Sequence, residues 1–117
     1  MAGNDTNDSR ELEHIARLIH EGRAWVRRYP EAWRAGEACA LERAARNHPV
    51  SWHEVAAAMT ARDYTDHESG APVSLDNTLG PLFMRWLRAA HPELHELVRP
   101  RRSVFDLVNI GSPYDRG

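Results

Sequence analysis

The feature that most constrains the fold is an apolar pattern with the period of a helix between Leu79 and Ala90. Apolar side chains recur there every three or four residues, which is the spacing of one face of an α-helix. Arg85 and Arg88 fall on another face of the same helix. The pattern therefore predicts an amphipathic helix, whose apolar face comprises Leu79, Leu82, Phe83, Trp86, Leu87 and Ala90.

The start of this helix is constrained by a proline. A polar segment, residues 62–74, precedes the helix. Pro81 has no N–H, so it fits only in the first turn, where the backbone N–H groups have no helical partner. A cap at Thr78 satisfies this condition, whereas a cap at Asp76 would place the proline too deep. We therefore predict that Thr78, or a residue beside it, caps the helix.

A second helix is predicted just before that polar segment, at residues 51–60. Ser51 and Glu54 have the spacing of a capping box, in which the serine oxygen accepts a backbone N–H and the glutamate reaches back. Val50 and Val55 have the spacing of a hydrophobic staple. This is the best-specified helix start in the chain.

The first helix of the chain carries an apolar stripe that suits either a core or a dimer. Its predicted cap is Asp8, because Glu11 stands three residues later, and the helix reaches about Arg28. Alternating spacings of three and four residues are typical of a two-helix seam, which suggests a homodimer through residues 12–29. The alternative is packing on the chain's own core, which the short pattern and Gly22 favour. The stripe comprises Leu12, Ile15, Ile19, Gly22, Val26 and Tyr29.

The remaining segments also predict helices, so the predicted fold is all-α with five or six helices. Pro30 is well placed to begin one helix, and Pro92 opens a short helix that Pro100 ends. Ser103 with Asp106 predicts a capped last helix. A strand is the alternative for this last element, because valine and isoleucine are common in strands.

Length and composition fit one domain with a core rich in tryptophan. The chain has 117 residues and four tryptophans, which is enough for a single core without disulfide or metal. We predict a helical domain at residues 8–110 with mobile tails at 1–7 and 111–117. Cys39 is the only cysteine, so no internal disulfide is expected. With no membrane-length apolar run and no visible secretory signal, we expect a cytoplasmic protein without membrane contact.

The sequence gives little sign of catalytic or metal chemistry. It contains no glycine-rich phosphate loop and no serine elbow. His91 and His95 are four residues apart, but Pro92 places His91 outside the helix and removes their shared face. We therefore predict neither an enzyme nor a cofactor nor a metal site.

The two helices around the polar segment resemble a known DNA-binding pattern. The resemblance covers residues 50–90 and is to helix-turn-helix domains of phage or plasmid regulators and of recombinase tails. It implies a transcriptional regulator or an accessory factor of a mobile element, whose second helix enters the major groove of double-stranded DNA. The similar residues are Ser51 to Met59, Gly70, Val73, Ser74, Thr78, Leu79 and Trp86.

Local charge supports a nucleic-acid interface at the same end of the chain. Residues 77–104 hold five arginines and two glutamates, a surplus of three positive charges. Asparagine can read adenine, and arginine can bind guanine or phosphate. The predicted DNA-binding residues are Asn77, Thr78, Arg85, Arg88, Arg99, Arg101 and Arg102.

A protein partner is the alternative to DNA. The net charge of −2 does not by itself indicate a nucleic-acid binder. The arginines can instead be solvated, or can pair with Glu93 and Glu96. In that case we expect an interaction module, an adaptor or an inhibitor, that uses residues 12–29 or the acidic turn to bind a protein.

Overall fold

The fold is all-α, as predicted, and the described residues form four α-helices. The computed structural model describes residues 2–61, 64–66 and 68–115, and the side chains from Ser9 onward. The helices are α1 (Ala2–Arg28), α2 (Pro30–Ala45), α3 (Trp52–Met59) and α4 (Gly80–Ala90). Single 3₁₀ turns occur at Asn77–Leu79, Pro92–Leu94 and Val104–Leu107.

The helix count is lower than the predicted five or six because the last two predicted helices are single 3₁₀ turns. Pro92 begins one turn, and Pro100 lies soon after it, so the chain between them is too short for a stable α-helix. The predicted capping box at Ser103 and Asp106 is confirmed, but it caps a turn of four residues. None of the helices within the described ranges has the length and apolar character required to cross a bilayer.

Helix α4 is the centre of the core. Seven of its eleven residues are buried. Phe83 is fully buried, and its ring centroid lies between 5.2 and 6.0 Å from those of four tryptophans. Such distances suit favourable aromatic pairs. The helix is therefore covered from several sides, by Trp25 of α1, Trp33 of α2, Trp52 of α3 and its own Trp86.

Helix α1 uses its apolar stripe to pack on the protein's own core. Ile15 and Val26 are buried, and a Cβ atom at Gly22 would lie 2.8 Å from Leu82 Cδ2, so α1 and α4 meet closely there. The helix also begins at Ala2, ahead of the predicted cap at Asp8. Because most of the stripe is already covered, a homodimer would need other faces of α1, and it stays a prediction.

Helix α3 begins where the sequence predicts, with half of the expected capping box. The Ser51 hydroxyl accepts a hydrogen bond from the Glu54 backbone N–H at 3.3 Å. The Glu54 carboxylate does not reach back; it pairs with Arg43 of α2, with Nε and Oε2 3.1 Å apart. Glu54 therefore ties α3 to α2.

The start of α4 combines a confirmed and a corrected prediction. Pro81 lies in the first turn, as predicted, and the residue that precedes the helix is Leu79, next to Thr78. The side-chain cap, however, comes from Asp76 and not from Thr78 as predicted. It accepts the Thr78 N–H at 2.9 Å and so caps the 3₁₀ turn that leads into α4. The intervening turn is what allows Asp76 to cap without placing the proline too deep.

The loop between α3 and α4 is attached to α1 through Asp66. This buried carboxylate accepts hydrogen bonds from the Arg28 guanidinium, the Glu68 N–H and the Ser69 hydroxyl. The hydrogen bond from Arg28, followed by that from Glu68, lowers the pKa of Asp66 below its usual value. The loop is also held by Trp25, whose indole N–H donates to the Ser74 carbonyl at 2.8 Å.

Residues 110–115, which we call the C-terminal strap, pack against α1, α2 and α4. Arg23 donates to the carbonyls of Ile110 and Ser112, and the Trp86 indole donates to Ile110 at 3.1 Å. The Trp33 indole donates to the Tyr114 hydroxyl at 3.1 Å. Mobile tails were predicted at 1–7 and 111–117; residues 112–115 make these contacts, while residues 1, 116 and 117 lie outside the described residues.

Candidate binding groove

A groove of about 820 Å³ opens beside the first turn of α4. One side is formed by Trp52 at the start of α3 and by Gly80, Pro81 and Met84 of α4. The other side is the irregular segment 96–103. We call this cavity the arginine groove. Its volume lies within the range of about 300–1,000 Å³ that is typical of binding pockets in proteins.

The floor of the arginine groove is apolar. Val50, Met84 and Val98 line it and are otherwise buried in the core. The Trp52 indole lies directly against Gly80, where an added Cβ atom would come within 2.8 Å of the ring. Only glycine at this position lets the ring lie so close to α4. The half-buried indole is thereby held as a flat apolar surface at the edge of the groove.

One wall of the arginine groove is basic. Arg99, Arg101 and Arg102 line it and are exposed. The salt bridges found within the described part of the chain involve other residues, and none of these three arginines takes part. Arg99 donates through Nε to the backbone carbonyl of Glu96 at 3.2 Å. The wall therefore presents three guanidinium groups that form no direct ion pair with a described carboxylate, although the charge of Arg102 helps to lower the pKa of Asp106.

Arg85 lies beneath this wall and holds it in place. The residue is 9% exposed, and its guanidinium donates to Asp106 Oδ1 at 2.9 Å, to the Pro81 carbonyl at 2.9 Å and to the Arg101 carbonyl at 2.6 Å. A second bond to Asp106 Oδ2, at 3.3 Å, makes that contact bidentate. Arg85 is thus a structural residue, and its side chain is not available to the phosphate or guanine predicted for it.

The other predicted site residues do not line the groove. Asn77 is exposed and does not line the groove, but its Oδ1 accepts from the indole N–H of Trp52, which does, at 3.4 Å. Thr78 is exposed and does not line the groove either. Arg88 is half-buried, donates to the His95 carbonyl at 3.2 Å and lies outside the groove. Of the predicted site residues, the structure thus gathers Arg99, Arg101 and Arg102 around one cavity, with the buried Arg85 beneath them.

The predicted role of α4 as a recognition helix conflicts with its burial. Of its residues, only Pro81, Ala89 and Ala90 are exposed, and Arg88 is half-buried. A helix that enters the major groove must present several polar side chains to the base edges. Helix α4 instead packs its residues against the other three helices. The reason is that residues 101–106 cover the face of α4 that carries Arg85, while its apolar face packs in the core, and neither contact is visible in the spacing of residues.

The apolar half of the groove could not be predicted from the sequence. The spacing predicts a hydrophobic staple for Val50 and a buried helix face for Trp52 and assigns no role to Met84, and nothing in it separates a core residue from a cavity lining. The useful signal was the run Arg99-Pro100-Arg101-Arg102, because proline excludes a regular helix and leaves neighbouring arginines exposed.

The pKa of Asp106, like that of Asp66, lies below its usual value. It is lowered chiefly by the hydrogen bond from Arg85 and then by the hydrogen bond from the Ser103 N–H.

These lowered pKa values predict a loss of stability in acid. Asp66 and Asp106 have lower pKa values in the folded protein than in the unfolded chain, so the unfolded chain binds more protons as the pH falls. The stabilisation is fully present above about pH 4 and is lost as the pH falls through the folded pKa values. We expect urea midpoints measured between about pH 2 and pH 7 to fall steeply below about pH 4.

Replacing Asp66 by asparagine should flatten this acid limb and lower the urea midpoint near neutral pH. Glu68→Gln is the matched control, because its carboxylate is largely exposed on the same loop, and it should leave the curve close to that of the wild type. An Asp66→Asn curve that parallels the wild-type curve at every pH would contradict this origin of the acid sensitivity.

The chain matches no protein-family model, no curated protein and no solved structure.

Proposed function

We propose that the protein is a protein-interaction module whose arginine groove binds an acidic segment of a partner that also presents apolar side chains. The observation that carries the proposal is the apolar floor beside three exposed arginines that form no direct ion pair within the described residues. Apolar anchors in a pocket provide most of the binding free energy in protein recognition. Complementary charge at the rim provides orientation and a faster association rate.

The apolar floor favours a ligand with side chains to bury. Met84, Val98 and Val50 give the floor, and Trp52 gives an aromatic edge. Tryptophan, methionine and arginine are the residue types that protein interfaces contain in excess. Burying one leucine or phenylalanine of a partner in such a site would contribute roughly 1.5–3 kcal/mol of apolar transfer free energy to binding.

The basic wall selects the charge of that ligand. Arg99, Arg101 and Arg102 are exposed side chains whose guanidinium groups can bind carboxylates in a bidentate manner. The only carboxylate of the groove lining is that of Glu96. An acidic partner segment is therefore attracted and a basic one is repelled.

Double-stranded DNA is the second candidate, and the same arginines support it. Three exposed arginines at one cavity would suit phosphate contacts, and Asn77, which is bonded to Trp52 of the groove, would suit a base edge. Against it stand the net charge of −2 and the burial of α4. Phosphate binding also leaves the apolar floor without a role, so the peptide proposal accounts for more of the site.

A fluorescence anisotropy titration tests the proposal. The probe is a short fluorescein-labelled peptide of leucine, phenylalanine, glutamate and aspartate. Comparison peptides replace either the apolar residues by serine or the acidic residues by lysine, and a labelled random duplex tests DNA. We expect the first peptide to bind with a Kd of about 10–100 μM, as small interfaces do, and both comparison peptides to bind at least about tenfold more weakly.

Variants locate the binding on the protein. Changing Arg99, Arg101 and Arg102 together to alanine should weaken binding by about tenfold, since exposed ion pairs contribute up to about 1 kcal/mol each. The matched control changes three exposed arginines of α1 and removes the same charge; it consists of Arg10→Ala, Arg17→Ala and Arg27→Ala.

Equal losses in the two triple variants would contradict the groove as the site. Duplex binding that is lost with the three groove arginines, without peptide binding, would support the DNA candidate and overturn the proposal. Each variant is checked by circular dichroism, so that a loss of binding is not confused with a loss of fold.

A further inference from the structure

The first turns of α1 with described side chains are exposed, and two glutamates there flank one leucine, while Arg10 and His14 lie on the opposite side of the helix. Every residue from Ser9 to His14 is exposed. Leu12 is 52% exposed, although Ile15, one turn later, is 1% exposed in the core. Glu11 and Glu13 flank Leu12 on either side. This part of α1 therefore presents a half-exposed apolar side chain between two carboxylates.

This face has the chemistry that the arginine groove is suited to bind. Leu12 matches the apolar floor, and Glu11 and Glu13 match the exposed guanidinium groups of Arg99 and Arg101. The groove lining contains no residue of α1. A protomer therefore does not fill its own groove with this face, and the match applies between two molecules.

We infer that the occupant of the arginine groove is, at high protein concentration, the Leu12 face of a second copy of the chain. The inference rests on the proposed function, because it names one acidic and apolar segment for the same groove. It also assigns self-association to residues 11–13 of one copy and the groove of another, instead of to the stripe at 12–29, most of which is buried. A partner segment and a second copy would then compete for one site.

The contact involves one leucine and a few charges, so the association is weak. Interfaces below about 1,200 Å² are typical of transient complexes. We expect a Kd of roughly 0.1–1 mM in physiological salt, with weaker association at higher salt because the charged groups are exposed.

A charge-swap experiment on the full chain tests the inference by sedimentation velocity. The first variant carries Arg99→Glu and Arg101→Glu, so its groove and its α1 face are both acidic. The second carries Glu11→Arg and Glu13→Arg, so both surfaces are basic. We expect each variant alone to remain monomeric up to about 1 mM, while an equimolar mixture associates, because the groove of each variant is complementary in charge to the α1 face of the other.

A second pair of variants measures the contribution of Leu12 to self-association separately from that of the charged residues. Leu12→Ser should weaken wild-type self-association by about fivefold or more, as expected for the loss of one buried leucine. Leu107→Ser is the matched control: Leu107 is 68% exposed and lies outside the groove lining, so the association should not change.

The outcomes separate this inference from the proposed function. A mixture that fails to associate, or equal effects of Leu12→Ser and Leu107→Ser, overturns the inference. If the labelled acidic peptide still binds dilute protein in that case, the proposed function stands alone. If the mixture associates and no peptide binds, the groove is a self-association site, which supports the inference and overturns binding of a partner segment.

Discussion

Replacing Phe83 by alanine is expected to lower the free energy of unfolding by about 3–5 kcal/mol, which is the usual cost of truncating a buried phenylalanine. Phe83 is 0% exposed, and its ring packs on four tryptophan rings from three other helices and its own. Removing the ring leaves a cavity where all four helices meet. Because a domain of this size is stable by only about 5–15 kcal/mol, the variant should be close to unfolding.

Urea unfolding followed by circular dichroism measures this loss. Phe83→Leu keeps much of the volume and should cost less than half as much. Leu107→Ala is the control for removing an apolar side chain, since Leu107 is 68% exposed; it should change the stability by less than about 0.5 kcal/mol. A Phe83→Ala variant as stable as the Leu107→Ala variant would show that the aromatic cluster does not hold the helices together.

Replacing Arg85 by alanine is expected to lower the free energy of unfolding by about 2–3 kcal/mol. The substitution leaves the carbonyls of Pro81 and Arg101 and the carboxylate of Asp106 without their donor. Leaving a buried polar group unsatisfied usually costs about 1–3 kcal/mol, and water can reach only part of this site. The wall of the arginine groove should also loosen, because Arg85 fixes the backbone at Arg101.

Two further arginine variants test this explanation. Arg85→Lys keeps the charge but lacks the planar set of donors, so it should recover less than half of the loss. Arg88→Ala removes one hydrogen bond from a half-buried residue and should cost about 0–1 kcal/mol. Equal stability of the Arg85→Ala and Arg88→Ala variants would contradict a structural role for Arg85. Loss of duplex binding by Arg85→Ala at unchanged stability would instead favour the nucleic-acid role predicted from the sequence.

The local parts of the fold could be predicted because their causes are local. The helix start at Ser51 depends on residues within one turn, and the cap hydrogen bond from Glu54 N–H forms as expected. The position of Pro81 in the first turn of α4 follows from its missing N–H. Ser103 and Asp106 likewise form their capping box. In each case the decisive contacts span no more than a few residues.

The environment of Arg85 could not be predicted in this way. The helical pattern correctly separates Arg85 from the apolar face, but a polar face need not be a solvent-exposed face. Residues 101–106 cover it, and Asp106 lies 21 positions away along the chain. One carboxylate thus caps a turn and also binds a buried guanidinium. Only the capping role leaves a signature in the spacing of residues.

The candidate site depended on the same kind of distant contact. The arginines at 99, 101 and 102 were predicted as binding residues, and they do lie together at one cavity. The floor that makes this cavity a groove comes from α3 and α4, whose apolar residues look like ordinary core positions in the sequence. The positive charge of the site could therefore be predicted from the sequence. The apolar cavity beside that charge, which makes it a binding groove, is visible only in the tertiary structure.

The C-terminal strap has a consequence for the order in which the protein is made. Arg23 binds carbonyls that lie 87 and 89 positions later in the chain, and the Trp33 indole binds a hydroxyl 81 positions later. A growing chain on the ribosome can form α1 and α2 early, but these donors have no acceptor until the strap has been synthesised and has emerged. The packing of α1 and α2 is thus completed only after the strap has been translated, so these two helices form long before their last hydrogen-bond partners exist.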